Sequence, residues 1–218
     1  MDLYPLLNSL RIAAISTALI FFVGLWAAQM ISRCSPVVKG VLDVVLTLPL
    51  VLPPTVVGYL LLCLLGPNGW VGGLVQRWLD VRLTMVWYAA VFSSAVVAFP
   101  LLYRTARGAF ESYDTTLTDA ARTLGRSDRW IFWHIQLPVC RQGIMAGTVL
   151  AFARALGEYG ATSMIAGYTP GKTATISTTV YQFWRTGNDA MALRWVMVNL
   201  GISAVVLLAI NLLERKER

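Results

Sequence analysis

Five apolar runs, residues 12–31, 44–66, 84–103, 144–167 and 195–213, take up about half of this 218-residue sequence, and each is close to twenty residues long. A helix needs ~20 apolar residues to cross the hydrocarbon of a bilayer, so runs of this length commit the chain to lipid. Only 13% of the residues are charged and 57% are hydrophobic, against roughly 25% charged in a soluble domain. Disorder, collagen and coiled coil are excluded on that balance. The expected fold is all-α: a polytopic bundle of about five spanning helices forming a single transmembrane domain over residues 1–218, with no room for a second enzyme domain. The first run exceeds the 7–15 residue core of a cleaved signal and is read as the first membrane helix.

The net charge of +7 is explained by orientation. Assigning Lys and Arg to alternate sides of five spans puts eleven on one side, among them Arg104, Arg107, Arg122, Arg126, Arg129, Arg215, Lys216 and Arg218. Six lie on the other, with Arg154 inside a span. Short cytoplasmic loops carry the positive excess, so the N-terminus is expected outside and the C-terminus in the cytoplasm. No charge is left over as a sign of nucleic acid. Cys34, Cys63 and Cys140 form no CxxC pair and have no histidine cluster beside them, which reads as reduced, packed thiols rather than a metal site. In the second run Pro49, Pro53 and Pro54 remove backbone donors, so that helix should kink or unwind where neighbours can satisfy the freed carbonyls.

The longest polar segment, residues 104–141, reads as two short helices. Residues 115–124 place Leu117, Ala120, Ala121 and Leu124 on one helical face, with Gly125 as the C-terminal cap. Ser127 or Asp128 then caps a second helix, in which Trp130, Ile131, Trp133, His134 and Leu137 make a bulky apolar patch and Pro138 stops the helix before the next span. Such a knob suits a partner's pocket, and it equally suits packing on the ends of the bundle.

Asp119-Ala120-Ala121, three residues, Gly125, nine residues, then Ile135-Gln136-Leu137-Pro138 resembles the EAA loop of bacterial ATP-binding-cassette importer permeases, with Asp in place of the first Glu. The resemblance implies that Asp119, Ala120, Ala121, Gly125, Ile135, Leu137 and Pro138 form a coupling element seated in a cleft of a cytoplasmic ATPase. Two further stretches, residues 46–59 with Pro53-Pro54 and the Leu156-Gly-Glu-Tyr-Gly-Ala-Thr162 element followed by residues 166–173, are similar to molybdate permeases over essentially the whole chain. Sulfate and tungstate permeases share the LGEYG element, but the Pro53-Pro54-Thr55-Val56 run and the Pro170-Gly171-Lys172-Thr173 turn favour molybdate, with sulfate or tungstate as the alternative cargo. The implied assembly is a homodimer in the bacterial inner membrane with two ATPase subunits, an extracytoplasmic oxyanion-binding protein and membrane lipid. ATP and Mg would be held by the partner subunits and no cofactor by this chain.

Arg154 and Glu158 stand ten and fourteen residues into the fourth run, about 15 and 21 Å deep at 1.5 Å per residue. An ionised group there costs at least ~2.5–3.5 kcal/mol unless it faces protein or water, and the i, i+4 spacing allows the two to pair. Pro53, Pro54, Arg154, Glu158, Tyr159 and Thr162 are candidates to line or gate a translocation path. A structural ion pair remains the alternative for Arg154 and Glu158. Gly143, Gly147, Gly157 and Ala161 supply small positions for close helix contact.

Other motifs fail. Gly167-Tyr-Thr-Pro-Gly171-Lys172-Thr173 has three residues between its glycines where a phosphate-binding loop needs four, and it follows a membrane helix rather than a strand. It is read as a turn leading to residues 175–184, an outer gate segment. His134 is the only histidine, and no HExxH or GxSxG sequence is present, so no catalytic residue is assigned. A non-transporting scaffold whose loop recruits a soluble partner is the rival from another class.

Overall fold

The computed structural model describes the backbone of residues 2–215 and side chains as far as residue 208. Lys216, Arg218 and the side chain of Arg215, which entered the orientation count, lie outside the described residues. The chain forms α1 (Tyr4–Ser32), α2 (Pro36–Val51), α3 (Pro54–Leu65), α4 (Trp70–Leu79), α5 (Trp87–Glu111), α6 (Thr116–Thr123) and α7 (Asp128–Ile131). A π-helical turn, Phe132–Gln136, leads into α8 (Leu137–Val139). Then come α9 (Arg141–Leu156), α10 (Gly160–Ile165), α11 (Ile176–Arg185) and α12 (Asp189–Arg215).

Three of the five apolar runs become helices long and apolar enough to cross a membrane: α1, α5 and α12. Each extends beyond its run, because flanking polar residues continue the hydrogen-bond ladder past the hydrocarbon. The other two runs are broken. The second is the pair α2 and α3, bent by 111° where Leu52 and Pro53 turn extended. Proline at 53 and 54 supplies no N–H to carry the ladder across. The fourth run, expected as one helix, ends at Leu156 and restarts at Gly160.

The core is built along α1, α5 and α9. Gly24 of α1 faces Leu102, where a Cβ would come within 2.4 Å of the Leu102 side chain. Gly147 of α9 sits so close to α5 that a Cβ would fall 1.9 Å from Thr105 Oγ1, and one at Gly143 would fall 2.7 Å from Ala109 Cβ. Gly157 makes no comparable contact. Small residues thus let the backbones approach where lipid provides no hydrophobic force between helices. Ala27, Ala28, Ile31, Tyr103, Phe110 and Ile144 fill the hairpin end of the bundle, while Ile12, Ala89, Ala90 and Ile165 fill the opposite end. Much of the remaining apolar surface points outward, as on α1 at Phe22 and Trp26 and along α2 and α12, which suits a lipid surround.

Candidate functional site: two helix breaks and a helical hairpin

The two broken runs meet. A Cβ on Gly58 of α3 would lie 2.7 Å from the Ala161 Cα of α10, and one on Gly160 would lie 2.9 Å from the Pro54 Cβ. The break at Pro53-Pro54 therefore abuts the break at Gly157–Tyr159. Backbone freed inside a membrane needs internal partners, and Glu158 is one of them. Its carboxylate accepts the Ala161 amide at 2.8 Å, at the start of α10. Its other oxygen lies 2.6 Å from Arg154 Nη1, an ion-pair distance without the alignment of a hydrogen bond. The Glu158 side chain is 1% exposed and that of Arg154 31%, so the guanidinium keeps access to surroundings that the carboxylate lacks. Thr162 is buried on α10, with its hydroxyl 3.2 Å from that of Ser93 on α5. Pro53, Pro54, Glu158, Tyr159 and Thr162 are thus gathered around one pair of breaks, and Arg154 reaches the same place from the end of α9.

Beside this junction lies a cavity of about 330 Å³, between Tyr159, Ser163 and Gly167 on one wall and Thr178, Tyr181, Gln182 and Arg185 of α11 on the other, with Tyr168. The Tyr159 and Tyr181 rings are 5.2 Å apart. Helix α11 is fixed by a capping box in which Thr175 and Thr178 exchange side-chain and backbone bonds. It is tied to α1 by the Ser9 hydroxyl, which accepts the Ile176 amide at 2.9 Å, and by Asn8, which donates to the Ala174 carbonyl at 3.0 Å. The preceding loop is a closed turn: Thr173 Oγ1 accepts the Thr169 amide, and Gly167 and Gly171 both take positive φ. Tyr181 falls within the stretch read from sequence as an outer gate segment but was not singled out, and Arg185, just beyond it, entered only the orientation count.

The hairpin α6–α8 has the two-helix form the spacing predicts. Gly125 adopts φ +74° with open space around it, and the Arg126 amide returns to the Ala121 carbonyl at 3.1 Å, closing α6 as a left-handed glycine cap does. Ser127 caps α7 by accepting from the Trp130 amide. Arg122 joins the arms through Asp128 at 2.9 Å and Asp119 at 3.3 Å. That pairing holds the Asp128 carboxyl below its ordinary range, through the hydrogen bond from Arg122 and then its charge. Asp114 is lowered likewise, by the Thr116 amide and hydroxyl.

Two expectations about the hairpin need correcting. Pro138 does not stop the helix, since the chain widens into the π turn just before it, the Leu137 amide bonding to the Phe132 carbonyl, and helix continues to Val139. The wider turn accommodates a ring that would clash with a regular ladder. The aromatic patch also divides. Ile131 is buried and Phe132, Ile135 and Leu137 pack on the bundle core, whereas Trp133 is exposed and Trp130 stacks on His134. On α6 only Ala121 is buried, which leaves Leu117, Ala120 and Leu124 open. The thiol expectation also changes in part: Cys140 is buried but Cys63 is exposed on α3, facing outward in an apolar run.

A charged network that the sequence did not disclose ties α2 to the end of α5 from which the chain enters the hairpin. Asp43 of α2 bonds to both Arg107 and the Tyr103 hydroxyl of α5, and Glu111 pairs with Lys39 at 2.6 Å. Between this network and α6–α7 lies a cavity of about 770 Å³ lined by Arg33, Lys39, Glu111, Asp119, Arg122 and Asp128. Arg107 entered the sequence reading only as a topology marker, because its partner Asp43 is far away in the chain.

Long apolar helices, spans broken at facing points and a capped hairpin at one end define a helical membrane protein. Residues 20–218 match the family described as the binding-protein-dependent transport system inner membrane component. The chain belongs to that family and is a multi-pass inner-membrane protein. It is 41% identical over 214 residues to the molybdenum transport system permease protein ModB of Escherichia coli K12, covering 97% of this chain and 93% of that one. With the ModB of Haemophilus influenzae the identity is 37%, covering 99% and 95%. The sulfate transport system permease CysW of Synechococcus elongatus is 32% identical, covering 95% of this chain and 72% of its own length. Among solved structures, the fold is similar to a bacterial alginate ABC transporter in complex with alginate pentasaccharide-bound periplasmic protein, with TM-score 0.78, 19% identity and coverage of 98% and 78%. It is also similar to the inward-facing MetNI methionine ABC transporter, with TM-score 0.73, 14% identity and coverage of 97% and 94%.

Proposed function

We propose that this chain is the permease subunit of an ATP-driven molybdate importer. One observation carries the reading: 41% identity to a molybdenum permease over nearly the full length of both chains, against 32% to a sulfate permease that it covers less completely. Two copies would enclose the path. The hairpin, with Asp119, Ala120, Ala121, Gly125, Ile135, Leu137 and Pro138, would seat in each of two cytoplasmic ATPase subunits, which bind ATP and Mg and perform the hydrolysis. The opposite face would receive an oxyanion-binding protein. This places the N-terminus outside and the C-terminus in the cytoplasm, as the distribution of Lys and Arg suggests.

In this reading the paired breaks are the moving part. Rigid helices change their relative angle most readily where the ladder is already interrupted, and Pro53-Pro54 against Glu158–Tyr159 supplies such a joint on both partners. Closure of the ATPases would draw the hairpins together. The network at Asp43, Arg107 and Glu111 would pass that displacement to α2 and α5. Glu158 presents no free charge to an anion, because Arg154 and the Ala161 amide occupy its oxygens.

The test is uptake of labelled molybdate into vesicles holding this chain with its ATPase and binding protein, with sulfate or tungstate as competitor. ATP-dependent uptake that excess sulfate leaves intact supports the proposal. Suppression by sulfate reassigns the cargo. A fully assembled complex with no ATP-dependent uptake contradicts the transport reading and favours a scaffold.

A further inference from the structure

The cavity between α10 and α11 differs from the larger cavity beneath the hairpin in the sign and kind of its lining. Tyr159, Ser163, Tyr168, Thr178, Tyr181 and Arg185 bring hydroxyls and one guanidinium, and no Asp, Glu or Lys lines it. Among the described residues Arg185 has no carboxylate partner; it donates only to the Gln182 side chain, at 3.2 Å. The Tyr159 ring lies 5.2 Å from that of Tyr181 and shares the cavity wall with Ser163 and Arg185. Thr178 is committed to the capping box, so it shapes the wall while the tyrosines and Arg185 supply donors. The 330 Å³ volume lies at the small end of ligand pockets, ample for a tetrahedral ion and tight for a sugar. The larger cavity beneath the hairpin is lined by carboxylates as well as cations, with Lys39 paired to Glu111 and Arg122 to Asp128.

We propose that the Tyr159–Tyr181–Arg185 cavity is a transit site for a tetrahedral oxyanion, holding the ion weakly after its release from the binding protein and before it passes the paired helix breaks. This rests on the importer reading and adds a location to it. Guanidinium and phenol donors match the oxygens of a dianion without needing a metal, and charge-assisted hydrogen bonds are the strong ones. A single guanidinium with neutral hydroxyls gives a site that fills and empties. A carboxylate in the lining would repel the cargo, and the carboxylate nearest the break, Glu158, is held by Arg154.

The experiment compares molybdate uptake per ATP hydrolysed in vesicles containing the whole importer, with wild-type permease, Arg185→Gln, Arg185→Lys, Tyr181→Phe and, as a control for general surface charge, Arg82→Gln. Arg185→Gln should lower uptake per ATP by about tenfold or more, the scale of one lost charged hydrogen bond, while stimulation of ATP hydrolysis by the loaded binding protein stays within about twofold. Arg185→Lys should recover part of the loss, and Tyr181→Phe should lose severalfold. Arg185→Gln with wild-type uptake per ATP overturns the proposal, and so does an equal loss in Arg82→Gln. If Arg185→Gln does not assemble, Tyr181→Phe decides: reduced uptake per ATP supports the site and wild-type uptake overturns it. Failure of the wild-type complex to transport molybdate would instead strike the importer reading.

Discussion

The paired helix breaks and the helical hairpin are both interruptions in a membrane bundle, yet they are completed in opposite ways. At the breaks the chain answers its own polar groups: the carboxylate of Glu158 takes an amide and a guanidinium, Thr162 meets Ser93, and glycines bring α3 and α10 to backbone contact. At the hairpin the backbone is capped and the arms are tied, but Leu124 remains 79% exposed and Trp133 63%, and Gly125 faces open space. Water or a partner must cover that face, since it projects beyond the apolar spans. The difference teaches that exposed apolar surface in a membrane protein has to be judged by position. Along α1 and α12 it answers lipid, while on a capped polar hairpin it is unfinished.

That contrast can be broken most forcefully at Gly58. Leucine there would drive a side chain into the Ala161 backbone, and overpacking of about 1–3 kcal/mol or more should prevent α3 and α10 from docking. Loss of monodisperse protein in detergent is the expected result, and a normally folded Gly58→Leu protein would show that the breaks do not meet. Next in size is Glu158. Glu158→Leu abandons both the Ala161 amide and Arg154 and should cost about 2–4 kcal/mol in thermal unfolding. Glu158→Gln keeps the acceptor and should assemble with clearly altered transport. Equal costs for the two variants would mean that the amide contact contributes little.

On the hairpin the expected pattern is reversed, with small effects on folding and large ones on function. Gly125→Val forces a β-branched residue into positive φ, straining the turn by about 1–2 kcal/mol. The protein should still insert while ATP-coupled uptake disappears, and normal uptake would count heavily against the docking role. Leu124→Asp should change unfolding by less than about 0.5 kcal/mol, as surface substitutions do, yet weaken capture of the ATPase in pull-down. Smallest is the effect of acid on the Arg122–Asp128 tie. Because Asp128 has a lowered pKa in the fold, its contribution is present above the ordinary carboxylate pKa of about 3.9 and fades as the pH falls through the lowered value. The hairpin should therefore be unchanged from neutrality to mild acid and loosen only below it, as read by hydrogen exchange at residues 122–130, and Asp128→Asn should remove that step.

Much of this was legible in the chain. Proline at 53 and 54 announces the first break, because the missing donors are a property of the residues themselves. The hairpin was legible for the same local reason: Gly125, Ser127 and the helical spacing of α6 act over a few positions. The second break was not. Residues 144–167 are apolar without a proline, and Glu158 spaced four after Arg154 reads as a pair along one continuous helix. Gly157 caps α9 after Leu156, but the packing of Pro54 and Gly58 against the restart at Gly160 and Ala161 joins residues about a hundred positions apart. The network at Asp43 and Arg107 likewise depends on contacts remote in sequence, and the Tyr181–Arg185 wall gains its meaning only where α11 folds back on Tyr159. Pro138 erred the other way, since the local rule for proline was right and the π turn upstream of it absorbed the consequence.

Hydrogen exchange on the permease in nanodiscs, with and without its ATPase subunits, tests the contrast between the finished and the unfinished region most directly. The account predicts new protection at residues 117–125 when the ATPase binds, with residues 157–165 protected to the same degree in both states in the absence of ATP. An ATPase that binds while residues 117–125 exchange as before, or protection that arises first at residues 157–165, would contradict it.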